Sequence, residues 1–357
     1  MTPPVPDGPH INQWRGPGSC RHRCRMNEPV TLLEPRPRYR STARRIGWAD
    51  LPVGVQSLIE ARVGGNARAD ASAGSGFTPG FAARVRGDGG SFFVKAAGSG
   101  ESQFVAESYR TEARINRMLP AAVPAPRLRW MEETGDGWVM LGFDAIDGHM
   151  PDLPWRANEL AAALDAYAMA AEALGPVPDT FATADLDKIA EHGDEFAFWR
   201  QTAAGAADPP RLPQFLPNRW VAPLAALEAD WGAATAGENV LHHDLRADNI
   251  LIDRTGTATV CDWNWAVIGA PWLDLTVLLA GAFADGHDAS TLMARHPAAA
   301  GAEPEQIDVA LAALAGFFVD HGGKEVVPSA PALRGHQRHC AEIVLRWLAA
   351  RRGWPLR

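Results

Sequence analysis

The sequence predicts an α+β fold in two lobes, a small β-rich N-terminal lobe over residues 46–147 and a larger helical C-terminal lobe over residues 148–357. Three observations carry that expectation. Short runs rich in β-branched and aromatic residues, separated by glycine turns, crowd between residues 71 and 143. Apolar residues at helical spacing dominate from residue 158 onward. Among those helices sits one short hairpin, residues 250–261, flanked by Asp244, Asn249 and Asp262.

The first 45 residues stand apart. They hold nine arginines and several prolines with little apolar periodicity, which predicts a disordered, solvated tail over residues 1–45. No apolar segment follows the basic residues, so this is not the pattern of a secretory signal, and Met26 offers a second start. Cys20, His22 and Cys24 look like half a zinc site, but no second ligand pair follows nearby, and chance spacing is the better account.

Order is expected from Trp48. Val55, Leu58 and Ile59 mark a short helix over residues 50–62. A glycine-rich bend over residues 71–80, a strand over 81–86, a turn over 87–90 and a strand ending in Lys95 then follow. That order suits a sheet that clamps a nucleotide. Gly74 and Gly76 allow the backbone to approach phosphates closely, although any hairpin can use glycine there. The Lys95 ammonium would neutralise two phosphates, provided that an acid fixes its position. The helix predicted over residues 102–119 offers Glu112 for this. Glu107 is the competing choice, but it stands nearer the helix start, where an acid often only complements the dipole.

Two further strands, residues 123–130 and 137–143, surround a turn at 134–137 and lead into the connector Phe143-Asp-Ala-Ile-Asp-Gly148. The backbone of such a hinge can hold the edge of adenine, and Phe143 and Ala145 are the candidates. Helical spacing continues over residues 158–174, 184–200, 221–231, 305–318 and 333–348. Residues 273–283 are apolar but short and carry Asp274, so they predict a buried helix rather than a membrane span. Residues 151–240 hold 14 acidic against 5 basic residues. An acidic cleft there would attract a polycationic amine, or a quaternary amine seated on Trp155, Trp199 or Trp220; a solvated acidic surface is the alternative.

The chemistry concentrates at His242, Asp244 and Asn249, which fit the spacing H-x-D-x-x-x-x-N. In phosphoryl transfer an Asp so placed takes the proton of an attacking hydroxyl, and the Asn holds a magnesium ion on the nucleotide phosphates. A hairpin brings its two ends together. Asn249 entering and Asp262 leaving would therefore reach one magnesium ion, which prefers oxygen ligands. His242 is read as a scaffold for the loop.

On these residues the chain resembles the aminoglycoside phosphotransferase family, small-molecule kinases with a protein-kinase-like fold that include choline and homoserine kinases. The resemblance spans residues 48–350 and rests on Val94-Lys95, Glu112, the hinge 143–148, the loop 242–251, Asp262-Trp263 and Gly269-Ala-Pro-Trp-Leu-Asp274-Leu275. Asp262-Trp263 replaces the Asp-Phe-Gly of protein kinases and no Ala-Pro-Glu follows, which argues against a protein substrate. The resemblance implies ATP or GTP, magnesium, and transfer of the γ-phosphoryl group to a small-molecule hydroxyl, with an aminoglycoside or another cationic amino-alcohol as acceptor. It also implies that Asp274 is structural rather than catalytic. Members often have Glu where this chain has Asp144. A metabolic kinase of the choline or homoserine type is the alternative, and a catalytically silent nucleotide-binding module a further one.

Composition agrees. The chain has 357 residues, 46% hydrophobic and 21% charged, enough for one large or two ordinary cores. A net charge of -8 argues against nucleic acid as a partner, and no apolar run approaches the roughly 20 residues that a membrane span needs. Four cysteines are too few for a disulfide framework, so the expected compartment is the reducing cytoplasm.

Overall fold

The computed structural model describes residues 29–42, 44–205 and 212–356. The first lobe is one antiparallel sheet covered on both faces. Its strands β1 (Arg68–Ala69), β2 (Phe81–Gly87), β3 (Gly90–Gly98), β4 (Leu128–Glu133) and β5 (Trp138–Asp144) stand in the order β1-β2-β3-β5-β4. Helix α1 (Val53–Val63) presents Val55, Ile59 and Val63 to one face, against Phe81, Val85, Val94 and Met140. Helix α2 (Ser99–Met118) lays Val105, Tyr109 and Ala113 on the other, against Val139, Leu141 and Phe143. Covered on both faces, β5 is apolar without alternation. The strand expected from Val123 begins only at Leu128. Pro124 and Pro126 have no N–H to give a ladder, and Arg127 turns its guanidinium onto the carbonyls of Leu119 (3.0 Å) and Val123 (2.6 Å).

The second lobe begins with β6 (Gly148–His149) and α3 (Ala157–Ala173). It continues with α4 (Phe198–Ala203), α5 (Val221–Glu228), α6 (Trp231–Thr235), β7 (Asn239–Leu241), β8 (Ile250–Asp253), β9 (Ala258–Val260) and β10 (Val267–Gly269). Helices α7 (Leu273–Ala284), α8 (Ala289–Arg295), α9 (Pro304–Gly322) and α10 (Leu333–Arg352) complete it. β8 and β9 form the expected hairpin, and β6 joins the outer edge of β8. α7 is a buried helix, and no helix among the described residues is long and apolar enough to cross a membrane.

Two helix boundaries differ from expectation. Residues 184–200 form only a single 3₁₀ turn at Ile189–Glu191 and the short α4. Their backbone is used elsewhere, since Ile268 of β10 donates to the Asp187 carbonyl (2.8 Å) and Lys188 bridges to Ile268. The helix expected over 221–231 is two helices, α5 and α6, broken at Ala229-Asp230.

The tail expected over residues 1–45 needs correction for residues 29–42. They form a segment fastened to the second lobe, with the Val30 N–H on the Ala284 carbonyl (3.1 Å) and those of Leu33 and Glu34 on the buried Glu342. Composition suggested solvation because the segment has few apolar residues; buried carboxylates of the second lobe provide the partners instead. Residues 1–28, with Cys20 and Cys24, lie outside the described residues.

Candidate active site

β7 delivers the chain to His242, and the loop that follows has its backbone held by α7. Asp274, buried in the first turn of that helix, accepts the N–H groups of His242 (2.7 Å) and His243 (2.8 Å). His242 is wholly buried, and burial lowers its pKa, so its ring is neutral. Its Nδ1 accepts the Asp244 N–H (3.2 Å), which leaves the proton on Nε2 to be donated to the Cys261 carbonyl (2.8 Å). One imidazole thus ties the loop to the far end of the hairpin. Two residues here take left-handed backbone conformations, His243 at φ 62° and Asp262 at φ 66°. Such conformations cost a side-chain-bearing residue roughly 1–3 kcal/mol, and they collect where function imposes them.

The Asp244 carboxylate is held at both oxygens. Asn249 Nδ2 donates to Oδ2 (3.0 Å) and to the Asp244 carbonyl (2.8 Å), while Arg246 Nη1 donates to Oδ1 (2.8 Å). Burial pushes the Asp244 carboxyl up to about 7, with Arg246 pulling the other way. Arg246 was not anticipated from the sequence. It forks onto Asp248 through Nε (2.9 Å) and Nη2 (3.0 Å), and its guanidinium stands 5.4 Å from the centre of the Phe77 ring. Its position two residues past Asp244, inside the motif, was the available signal.

The hairpin brings Asn249 and Asp262 together, closed by the Cys261 N–H on the Asn249 carbonyl (2.9 Å). Lys95, in the middle of β3, reaches Glu112 at both oxygens (2.7 and 2.8 Å) and also pairs with Asp262. Lys95 and Glu112 are both buried. Burial opposes the charge on Lys95, yet Asp262 and Glu112 outweigh it and raise the ammonium's pKa; the same ammonium holds Asp262 below the usual carboxylate range against its own burial. Burial pushes Glu112 up to about 7, with Lys95 pulling against it and Asp262 adding to it. Glu107, the competing choice, is exposed and pairs with Arg110 (3.4 Å). The Asn249 amide nitrogen is committed to Asp244. Its oxygen and the Asp262 carboxylate remain as hard donors on one cavity, the ligand chemistry that magnesium prefers.

That cavity, about 300 Å³, lies between the sheet and the hairpin. Lys95, Asn249 and Asp262 line one end, and Phe143, Ala145 and Leu251 give it an apolar wall. Gly76, at φ 82°, borders it, but Gly74 does not. A Cβ on Gly74 would stand 2.2 Å from the Arg40 carbonyl oxygen, so this glycine admits the N-terminal segment. The aromatic faces proposed for a quaternary amine are also otherwise engaged. Trp199 is fully buried with its indole N–H on the Ala312 carbonyl (2.8 Å), Trp155 is buried, and Trp220 stacks on Trp354.

A model of the phosphotransferase enzyme family matches residues 74–313, more than half of the chain and the whole of this site. The chain belongs to that family. Among solved structures, the phosphotransferase is similar to a thermostable mutant of aminoglycoside phosphotransferase APH(4)-Ia in a ternary complex with AMP-PNP and hygromycin B. The TM-score is 0.53 at 15% identity, over 82% of this chain and 98% of that one. It is also similar to choline kinase LicA from Streptococcus pneumoniae, with a TM-score of 0.50 at 12% identity, over 83% of this chain and 99% of that one. At these identities the likeness is one of fold, the two-lobed protein-kinase-like fold. Among curated proteins none matches the phosphotransferase.

Proposed function

We propose that this phosphotransferase moves the γ-phosphoryl group of ATP to a hydroxyl of a small, cationic amino-alcohol, with magnesium held by Asn249 and Asp262. The observation that carries the reading is the convergence of Asp244, Asn249, Asp262 and the Lys95–Glu112 pair from four separate chain segments around one loop and one cavity. Magnesium, when bound, would neutralise charge on the phosphates. The protein's own groups do the rest. Phe143 and Ala145 would border the adenine, and Lys95 would meet the phosphates.

Asp244 is the general base. Its carboxylate, fixed by Arg246 and Asn249, takes the proton from the acceptor hydroxyl as the new O–P bond forms and the bond from the γ-phosphorus to the ADP oxygen breaks. A pKa near 7 suits that task, since a base works best near the operating pH. Exposed Asp187, Glu191, Asp194 and Glu195 favour a cationic acceptor, because they lie on the segment joined to β10, and the Glu195 charge reaches His243 beside the base. The solved structure that holds AMP-PNP together with hygromycin B lends the same direction. The test is direct. Asp244→Ala should bind ATP with magnesium by calorimetry as the native protein does, and should lose phosphoryl transfer to aminoglycosides and amino-alcohols. Full turnover in that variant would remove Asp244 from its role, and no turnover by the native protein on any hydroxyl acceptor would favour a silent nucleotide-binding module.

A further inference from the structure

Residues 29–42 connect two parts of the molecule that nucleotide entry has to separate. At one end they are fastened to the second lobe through charge. Glu342, with no exposed surface, accepts the N–H groups of Leu33 (3.0 Å) and Glu34 (2.7 Å) and is itself fixed by Arg346 (2.8 Å). Arg36 pairs with the buried Asp285, whose other oxygen takes the Trp155 N–H (2.8 Å), and the Tyr39 hydroxyl meets His336 Nδ1 of α10 (3.1 Å).

At the other end residues 29–42 meet the bend itself through neutral groups, while Arg45 just beyond them donates to the Ser75 carbonyl (3.0 Å) and Arg40 pairs with Asp152 of the second lobe (3.3 Å). Thr42 Oγ1 donates to the Gly76 carbonyl (2.7 Å), and the Arg40 carbonyl occupies the space that a side chain on Gly74 would need. Just beyond, Phe77 lies against the His336 ring, with centroids 4.8 Å apart, and under the Arg246 guanidinium. The glycine-rich bend is therefore held down on α10 and on the catalytic loop. Charge-assisted bonds are roughly twice as strong as neutral ones, so among the contacts that residues 29–42 make themselves, the Thr42–Gly76 bond lets go before those on the second lobe.

We propose that residues 29–42 are a clasp that holds the glycine-rich bend closed over the cavity, and that nucleotide enters and leaves when the Thr42–Gly76 end is released. The gating part rests on the reading that nucleotide fills the cavity; the mechanical part does not. Two full-length variants test it, Thr42→Val at the weak end and Arg36→Met at the strong end. Hydrogen exchange without nucleotide should be about ten-fold faster at Ala73, whose N–H donates to the Ala82 carbonyl (2.7 Å) at the foot of the bend, in both variants, the change expected from losing a hydrogen bond or an ion pair, and unchanged in α3 and α9. Arg36 has its partner, Asp285, just past the end of α7, remote along the segment from the bend, so only a mechanical link carries its loss to Ala73. Release of a fluorescent N-methylanthraniloyl ADP in the presence of magnesium should accelerate by a similar factor. Wild-type exchange at Ala73 in both variants overturns the clasp, as does wild-type ADP release despite faster exchange. Should Arg36→Met fail to fold, Thr42→Val, which replaces one hydroxyl by a methyl, decides alone. If the native protein binds no fluorescent ADP, the nucleotide reading falls while the exchange result still judges the clasp.

Discussion

His243 shows what a single residue can be made to tolerate. Its φ of 62° would suit glycine, and burial pushes its imidazole down to about 4, with Glu195 opposing. Both terms cost stability. His243→Gly should gain about 1 kcal/mol at pH 8 from the backbone alone. The second term depends on pH. Between about 6.5 and 4 the unfolded chain binds a proton that the native imidazole refuses, so native stability falls as pH drops through that window, and the variant escapes this loss. At pH 5 its advantage should grow by about 2 kcal/mol, read from urea unfolding at the two pH values. An advantage that stays constant with pH would show the ring to be solvated. That Asn249 would stand beside both Asp244 and Asp262 was legible in the sequence, because a hairpin joins its two ends and Asp244 lies on the loop that enters it. Arg246 was not, since an arginine in a loop looks the same whether it is solvated or clamped between two carboxylates. Gly74 is ambiguous for a related reason. A glycine shows that something comes close and not what, and here it is the carbonyl of Arg40.

Among the elements, the loop that carries Asp244 owes its shape to a buried helix. Asp274 takes two backbone N–H groups with one buried carboxylate, its pKa raised by burial against the pull of His242. Asp274→Ala leaves both donors buried without a partner, at a cost of about 3 kcal/mol. Denaturant unfolding should show that loss together with a large fall in turnover and little change in nucleotide affinity; lost turnover at unchanged stability would make Asp274 a chemical participant. The hairpin was readable because β-branched runs around a glycine turn leave few alternatives. The stretch 184–200 was not. Its apolar residues fall at helical spacing, yet hydrogen bonding to β10, more than 60 residues later in the chain, decides its conformation.

For the whole molecule, two lobes meeting at one cavity mean that ligand and fold are linked. ATP with magnesium at about 100 times its dissociation constant should stabilise the protein by about 2.7 kcal/mol, seen as a rise of several degrees in Tm. Asp262→Ala should abolish the part of that rise that depends on magnesium, and an undiminished rise would place the metal elsewhere. The two-lobed plan was legible from the change of period near residue 150, whereas the packing of residues 29–42 on the second lobe was invisible because partners such as Asp285 and Glu342 lie 249 to 309 positions away. That distance has a consequence during synthesis. The Leu33 N–H waits for Glu342, 309 residues later, and at roughly 5–20 residues per second a ribosome needs on the order of 15–60 seconds to supply it. For that interval the segment lacks its Glu342 seat, while Gly76, Ala284 and Asp285, among its other partners, are made earlier. The order of synthesis thus makes the Glu342 contacts the last of this segment to become available.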